Sequence, residues 1–187
     1  MKVVGLDLSL TDTGWASCDS GEGYAFLPPF MFEEGVNEIY EVGRLQPRKM
    51  AGMERLKRIR DEMLLICTNA DLVVIEGYSF GSAKKQQNSR AHATGEMGGV
   101  VRLALFEEDL AVAEMSPTSL KKFATGVGNC EKGLVLTQAV RRLDYQGSNH
   151  NEADALWLMF AGLVHLGISP VEFPKLQLEA LEKVQWP

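Results

Sequence analysis

Three carboxylates stand at costly places in this chain. Asp7 lies inside the apolar run Val3-Val4-Gly5-Leu6-Asp7-Leu8, Glu76 ends the run Leu72-Val73-Val74-Ile75, and Asp154 precedes the apolar stretch Ala155-Leu156-Trp157-Leu158-Met159. A buried carboxylate needs a cation, a hydrogen-bond network or an exposed position. Asp7 alone reads equally well as a strand residue touching water. Two acids at matching places on two core strands converge on one spot if those strands are neighbours. Asp154 shares a helix face with His150 and Asn151, four and three residues before it. Glu152 lies off that face, and Asn149-x-x-Glu152 fits a capping box. Carboxylates from two strands and a helix form a hard-oxygen set suited to Mg²⁺, with Mn²⁺ as a substitute. Two such ions can activate water and stabilise the leaving oxygen of a phosphodiester. The scattered cysteines Cys18, Cys67 and Cys130 form no C-x-x-C pair and no zinc cluster, and read as idle thiols of a reducing compartment.

The elements that must position these acids are legible in the patterning. Residues 3–8 read as a buried strand, Thr11-Asp12-Thr13-Gly14 as a turn, and Trp15 to Cys18 as a second strand. Tyr24 to Phe32 reads as the third strand of an antiparallel meander. Met50, Met53, Leu56, Ile59, Met63 and Ile66 recur at helical steps, with the bases of residues 48–60 on the wet side. The strand ending at Glu76, a long helix over about 87–107 and a strand at Leu110–Ala113 follow. Helices near Thr118–Phe123, over Lys132–Leu143 and from about Asn149 complete the order. This predicts an α/β fold with a five-stranded mixed sheet, a three-strand meander plus two parallel strands, flanked by helices. Residues 1–168 form the expected domain. Residues 169–187 form a tail with a weak amphipathic helix.

The charge total is −6, from 19 basic and 25 acidic residues among 187. A sum of that sign speaks against a nucleic-acid partner. Its distribution does not: residues 1–43 carry −7, residues 44–142 carry +5 and residues 143–187 carry −4. A local basic surface on an acidic protein is therefore available. The longest apolar stretch, Ala155 to Ile168, is too short to span a bilayer and contains His165, so no membrane partner is expected.

At four places the residues carry a family resemblance. Gly5-Leu6-Asp7-Leu8-Ser9-Leu10-Thr11-Asp12-Thr13-Gly14-Trp15-Ala16 resembles the opening of the RuvC-type Holliday-junction resolvases, and Val74-Ile75-Glu76 their second acidic strand. The run from Pro117 through Lys121-Lys122, Thr125-Gly126-Val127-Gly128 and Lys132 is similar to their Pro-x-x-x-Lys-Lys-x-x-Thr-Gly-x-Gly-x-x-x-Lys segment. Glu152-Ala153-Asp154-Ala155-Leu156 resembles their last acidic helix. The four stand in family order over roughly residues 1–166.

The resemblance implies an RNase H-like fold and a divalent-metal endonuclease, a homodimer acting on four-way DNA junctions, in the bacterial cytosol, including that of a phage-infected cell. It implies Asp7, Glu76 and Asp154 as metal-binding and catalytic acids. The family's fourth acidic position is Asn151 here, with His150 beside it; either is open as the last metal ligand. Lys121, Lys122 and Lys132 are implied phosphate contacts, with Lys132 near enough to stabilise charge during cleavage. Tyr78, Phe80, Lys84, Lys85 and Arg90 interleave aromatics and bases after Glu76, which suits stacking on unpaired bases. Either Tyr78 or Phe80 takes that place. Ala91, Ala93, Gly95, Gly98 and Gly99 make a small-residue helix surface, for the core or for a dimer.

Other readings compete. Gly5-x-Asp7-x-Ser9-x-Thr11-x-Thr13-Gly14 also resembles the first phosphate loop of the actin and sugar-kinase superfamily. That superfamily closes two copies of the fold around one nucleotide; this chain holds one, so no nucleotide cofactor is expected. An RNase H-like nuclease for RNA–DNA hybrids or other branched DNA shares the same acids. A junction-binding protein with weak catalysis is the remaining reading, through the uncharged Asn151.

Overall fold

The computed structural model describes residues 1–19, 39–47, 49–78 and 88–187, with backbone alone at 88–91. Among the described residues five strands form one sheet: β1 (Lys2–Asp7), β2 (Thr13–Asp19), β3 (Glu41–Leu45), β4 (Leu72–Glu76) and β5 (Val112–Met115). Their order is β3-β2-β1-β4-β5. β1, β2 and β3 pair antiparallel, and β1, β4 and β5 run parallel. The meander is present, but its third strand is Glu41–Leu45. Tyr24 to Phe32, read as that strand, lies outside the described residues. β5 begins two residues later than Leu110, because Leu110 N–H still bonds Leu105 O at the preceding helix end.

Among the described residues six helices surround the sheet: α1 (Gly52–Cys67), α2 (Asn88–Glu107), α3 (Pro117–Thr125), α4 (Lys132–Leu143), α5 (His150–His165) and α6 (Lys175–Leu178). Strand alternation sorts the core into two layers. Val4, Leu6, Val73 and Ile75 meet Leu56, Ile59 and Met63 of α1 and Met97, Val101 and Leu105 of α2. Val3, Leu72, Val74 and Met115 meet α3, α4 and α5. The bases of α1 stay on its wet side, with Lys57 paired to Asp61 at 3.3 Å and Arg58 to Glu62 at 2.6 Å.

α5 is buried from Ala153 to Leu163 and lies directly on the sheet. Glycine makes that approach possible: a Cβ on Gly5 would sit 2.1 Å from Ala155 O, and one on Gly14 would sit 2.1 Å from Asn151 O. Trp157 fills the other side of α5, edge-on to Phe123 of α3 at 5.6 Å. The tail packs on α3, where Gln177 donates to Ala124 O at 3.1 Å. Its Gln185 bridges Glu114 on the outer edge of β5.

Candidate active site

Sheet parity and register bring the three acids together. Leu6 pairs with Ile75 across the parallel β1 and β4. Asp7 and Glu76 are the next residues, at the same ends of neighbouring strands. Side chains alternate faces, so Asp7 follows Val3 and Gly5, and Glu76 follows Leu72 and Val74, onto the α5 face. α5 starts above that end. The Asn149 side chain caps it, accepting from Asn151 N–H at 2.8 Å and Glu152 N–H at 3.1 Å. The first turn then presents Asp154 to the strand ends. The capping box is completed indirectly: the Tyr145 hydroxyl donates to Glu152 Oε2 and receives Asn149 N–H at 3.3 Å.

Asp7, Glu76 and Asp154 line one cleft of about 650 Å³. Lys121, Lys132, Asn151, Tyr78 and Arg102 are on its walls as well. Asp7 and Asp154 are each 8% exposed. Burial, then the charges of Glu76 and Asp154, push the Asp7 carboxyl up to about 9, so it keeps its proton and donates it to Glu76. Burial also raises Glu76 and Asp154, against the pull of Lys132 and Lys121. Lys132 Nζ stands 3.6 Å from Asp154 Oδ2. The cleft thus crowds three carboxyls whose full ionisation its lysines would offset only in part. Oxygen donors with unmatched charge and no sulfur among them fit a hard divalent cation. Among the described residues no three Asp, Glu, His or Cys side chains already stand in a closed ligand cluster. Closing one requires the Asp7 proton to leave.

The other sequence candidates divide. Asn151 reaches the cleft; His150 is absent from its lining, and its buried Nδ1 has no hydrogen-bond partner among the described residues. Lys122 turns away from Lys121, to Glu179 of the tail at 3.1 Å. Tyr78 is held in place: its hydroxyl donates to Gly95 O at 3.1 Å and accepts from Arg102 at 2.8 Å, and the Arg102 guanidinium covers its ring at 4.6 Å. Phe80, Lys84 and Lys85 lie outside the described residues, as does the side chain of Arg90. Of the small-residue surface, Gly98 packs under Tyr78, Gly95 lines the cleft, and Gly99 meets nothing among the described residues.

Sequence reading missed Arg102 and the polar seam beside the site. Arg102 is 24 residues from Tyr78 and carries no motif. In the seam, Asp12 accepts from Gln46 at 2.9 Å and from Asn149 at 3.2 Å, and Arg44 stands 3.7 Å from both Asp12 and Glu152. Arg44 and Gln46 lie in and beside β3, the strand whose position was misread.

Comparison with known proteins agrees with this geometry. The family model described as crossover junction endodeoxyribonuclease RuvC matches residues 38–161. The enzyme of that name from Carboxydothermus hydrogenoformans is 26% identical over 171 residues, covering 89% of this chain and 98% of its own. That from Rhodococcus opacus is 28% identical over 174 residues, covering 91% and 84%. The Thermus thermophilus RuvC structure superposes with a TM-score of 0.61 at 23% identity, over 90% of this chain and 98% of that one. A second structure of that protein, in complex with Holliday junction substrate, gives 0.60 at 21%. The match spans about two thirds of the sequence and includes Glu76, Lys132 and Asp154, and the chain belongs to the RuvC family of crossover junction endodeoxyribonucleases.

Proposed function

We propose that this protein cuts four-way DNA junctions by metal-dependent hydrolysis of phosphodiesters. One observation carries the reading: carboxyl groups from β1, β4 and α5 converge in one cleft beside two lysines. The family relationship supports it, as does the junction bound to the Thermus thermophilus protein. Asp7, Glu76 and Asp154 would hold Mg²⁺ or Mn²⁺, with room for two ions. When bound, such ions supply activated water and stabilise charge on the leaving oxygen.

The chain's own residues do the rest. Asp7 releases its proton when a cation enters, which joins metal binding to pH. Lys132 stays over Asp154 and is placed to offset charge building on the cut phosphate. Lys121 on the cleft wall is placed for a neighbouring phosphate. In this reading residues 1–168 are the nuclease domain and 169–187 a tail. Paired cuts need two sites, and α2 offers a surface for a second copy. Among the described residues nothing covers its Gly99, and its Phe106 is 76% exposed. Among the described residues no helix is long and apolar enough to cross a membrane.

The test incubates the protein with a mobile four-way junction, an RNA–DNA hybrid and plain duplex, with and without Mg²⁺ or Mn²⁺. Paired symmetric nicks on the junction alone, dependent on the ion, are expected. Junction binding without cleavage under any of these conditions overturns the reading. Asp154→Asn is expected to abolish cutting and keep binding; retained cutting means the acid is wrongly assigned.

A further inference from the structure

Asn151 is tied at both ends of its amide. Its Nδ2 donates to the main-chain carbonyl of Asp12 at 2.5 Å, and its Oδ1 accepts from Lys132 Nζ at 3.5 Å. Only the nitrogen of an amide donates, and a carbonyl can only accept, so the first bond determines which way the amide faces. The oxygen is left for Lys132. That ammonium also stands 3.6 Å from Asp154. The backbone next to Asn151 is seated as tightly, since a Cβ on Gly14 would lie 2.1 Å from Asn151 O. Asp12 in turn holds Asn149, the cap of α5, at 3.2 Å. The turn between β1 and β2 is therefore bound to the start of α5 through Asn151 and Asn149.

An aspartate at this position would behave differently. It has no donor for the Asp12 carbonyl, and two acceptors would face each other. It would also add negative charge beside three crowded carboxyls. The amide meets both difficulties. We propose that Asn151 is a positioning residue rather than a metal ligand. It pins the β1–β2 turn onto α5 and holds Lys132 beside Asp154 in the metal-free protein. The ligand comparison rests on the metal reading above; the strut itself does not.

The test measures two quantities: thermal unfolding in EDTA, and Mn²⁺ binding by electron paramagnetic resonance without DNA. The proteins are wild type, Asn151→Ala, Asn151→Asp, Lys132→Met and the Asn151→Ala/Lys132→Met pair. Both Asn151 variants are expected to lower the metal-free Tm by about 3–10 °C, from the orphaned Asp12 carbonyl. Asn151→Asp is expected to tighten Mn²⁺ at least about tenfold, because site affinity follows ligand charge. Asn151→Ala leaves the Mn²⁺ Kd within about threefold, since no ligand is lost. The Asn151→Ala and Lys132→Met losses in Tm fall short of additive, as expected of residues in contact.

Asn151→Ala weakening Mn²⁺ tenfold or more would make Asn151 a ligand and overturn the proposal. A metal-free Tm of Asn151→Asp at or above wild type overturns the strut, and strict additivity overturns the link to Lys132. Asn151→Ser carries the same comparison if the alanine variant does not fold. If wild type binds no Mn²⁺, the metal reading falls alone, and the Tm losses and their coupling still decide the strut.

Discussion

Asp7→Asn should make the metal-free protein more stable while destroying its response to metal. In the folded chain, burial and the charges of Glu76 and Asp154 hold the Asp7 carboxyl up near 9, against 3.8 ordinarily. Unfolding without metal therefore releases a proton, and stability falls as pH rises from about 4 to about 9. Keeping that proton at pH 7.5 costs about 1.4 kcal/mol for each pH unit above 3.8, about 5 kcal/mol in all. At pH 5 the cost is smaller, on the order of 1–2 kcal/mol. Asparagine has nearly the shape of the protonated acid and donates to Glu76 in the same way. It removes the cost and keeps the bond. At 2–4 °C per kcal/mol for a chain of this size, the ceiling at pH 7.5 is a Tm gain of about 10–20 °C. The assay is thermal unfolding of both proteins in EDTA from pH 5 to 8.5, repeated with Mg²⁺. The expected pattern is a variant advantage that widens with pH. Mg²⁺ raises the Tm of wild type and not that of the variant. A variant no more stable than wild type at pH 7.5, or an advantage that shrinks as pH rises, refutes the reasoning.

The two adjacent lysines of α3 should separate in a salt titration of junction binding. Lys121→Ala reduces the slope of log affinity against log salt by about one contact's worth. Lys122→Ala leaves the slope unchanged, because Lys122 is paired to Glu179. Equal slope changes would show that both lysines meet phosphate. Gly5→Ala tests the seating of α5. Its Cβ meets Ala155 O at 2.1 Å and Met159 N at 2.5 Å, backbone atoms that cannot step aside. A loss of about 3 kcal/mol or more in urea unfolding is expected, with cleavage reduced because Asp154 moves away from Asp7. A stability within about 1 kcal/mol of wild type would mean the helix is not held where it stands.

The buried elements were legible because burial writes a strong pattern. β1 and β4 are continuous apolar runs with one acid at the end of each, and α5 is capped by Asn149 and apolar for most of its length. The adjacency of β1 and β4 was left open by the sequence and is decided by the fold, and parity then places Asp7 and Glu76 on one face. β3 was not legible. It is a five-residue edge strand, Glu41-Val42-Gly43-Arg44-Leu45, with none of its residues fully buried, so little in its composition sets it apart from a loop. Tyr24 to Phe32 is far more apolar and drew the assignment instead.

By itself, the sequence determined which acids sit on which core elements, because a carboxylate inside an apolar run has few alternatives. It also determined the family, through motifs in order. Tertiary structure alone decided how chemically identical neighbours differ. Lys121 and Lys122 are equal in type and adjacent, yet one lines the cleft and the other binds the tail, which lies 57 residues on. Asn151 is an amide whose facing depends on a carbonyl 139 residues away. Tyr78 follows β4 and is held by an arginine from α2. Each choice rests on a partner distant in sequence and close in space, and one-dimensional spacing carries no record of such a contact.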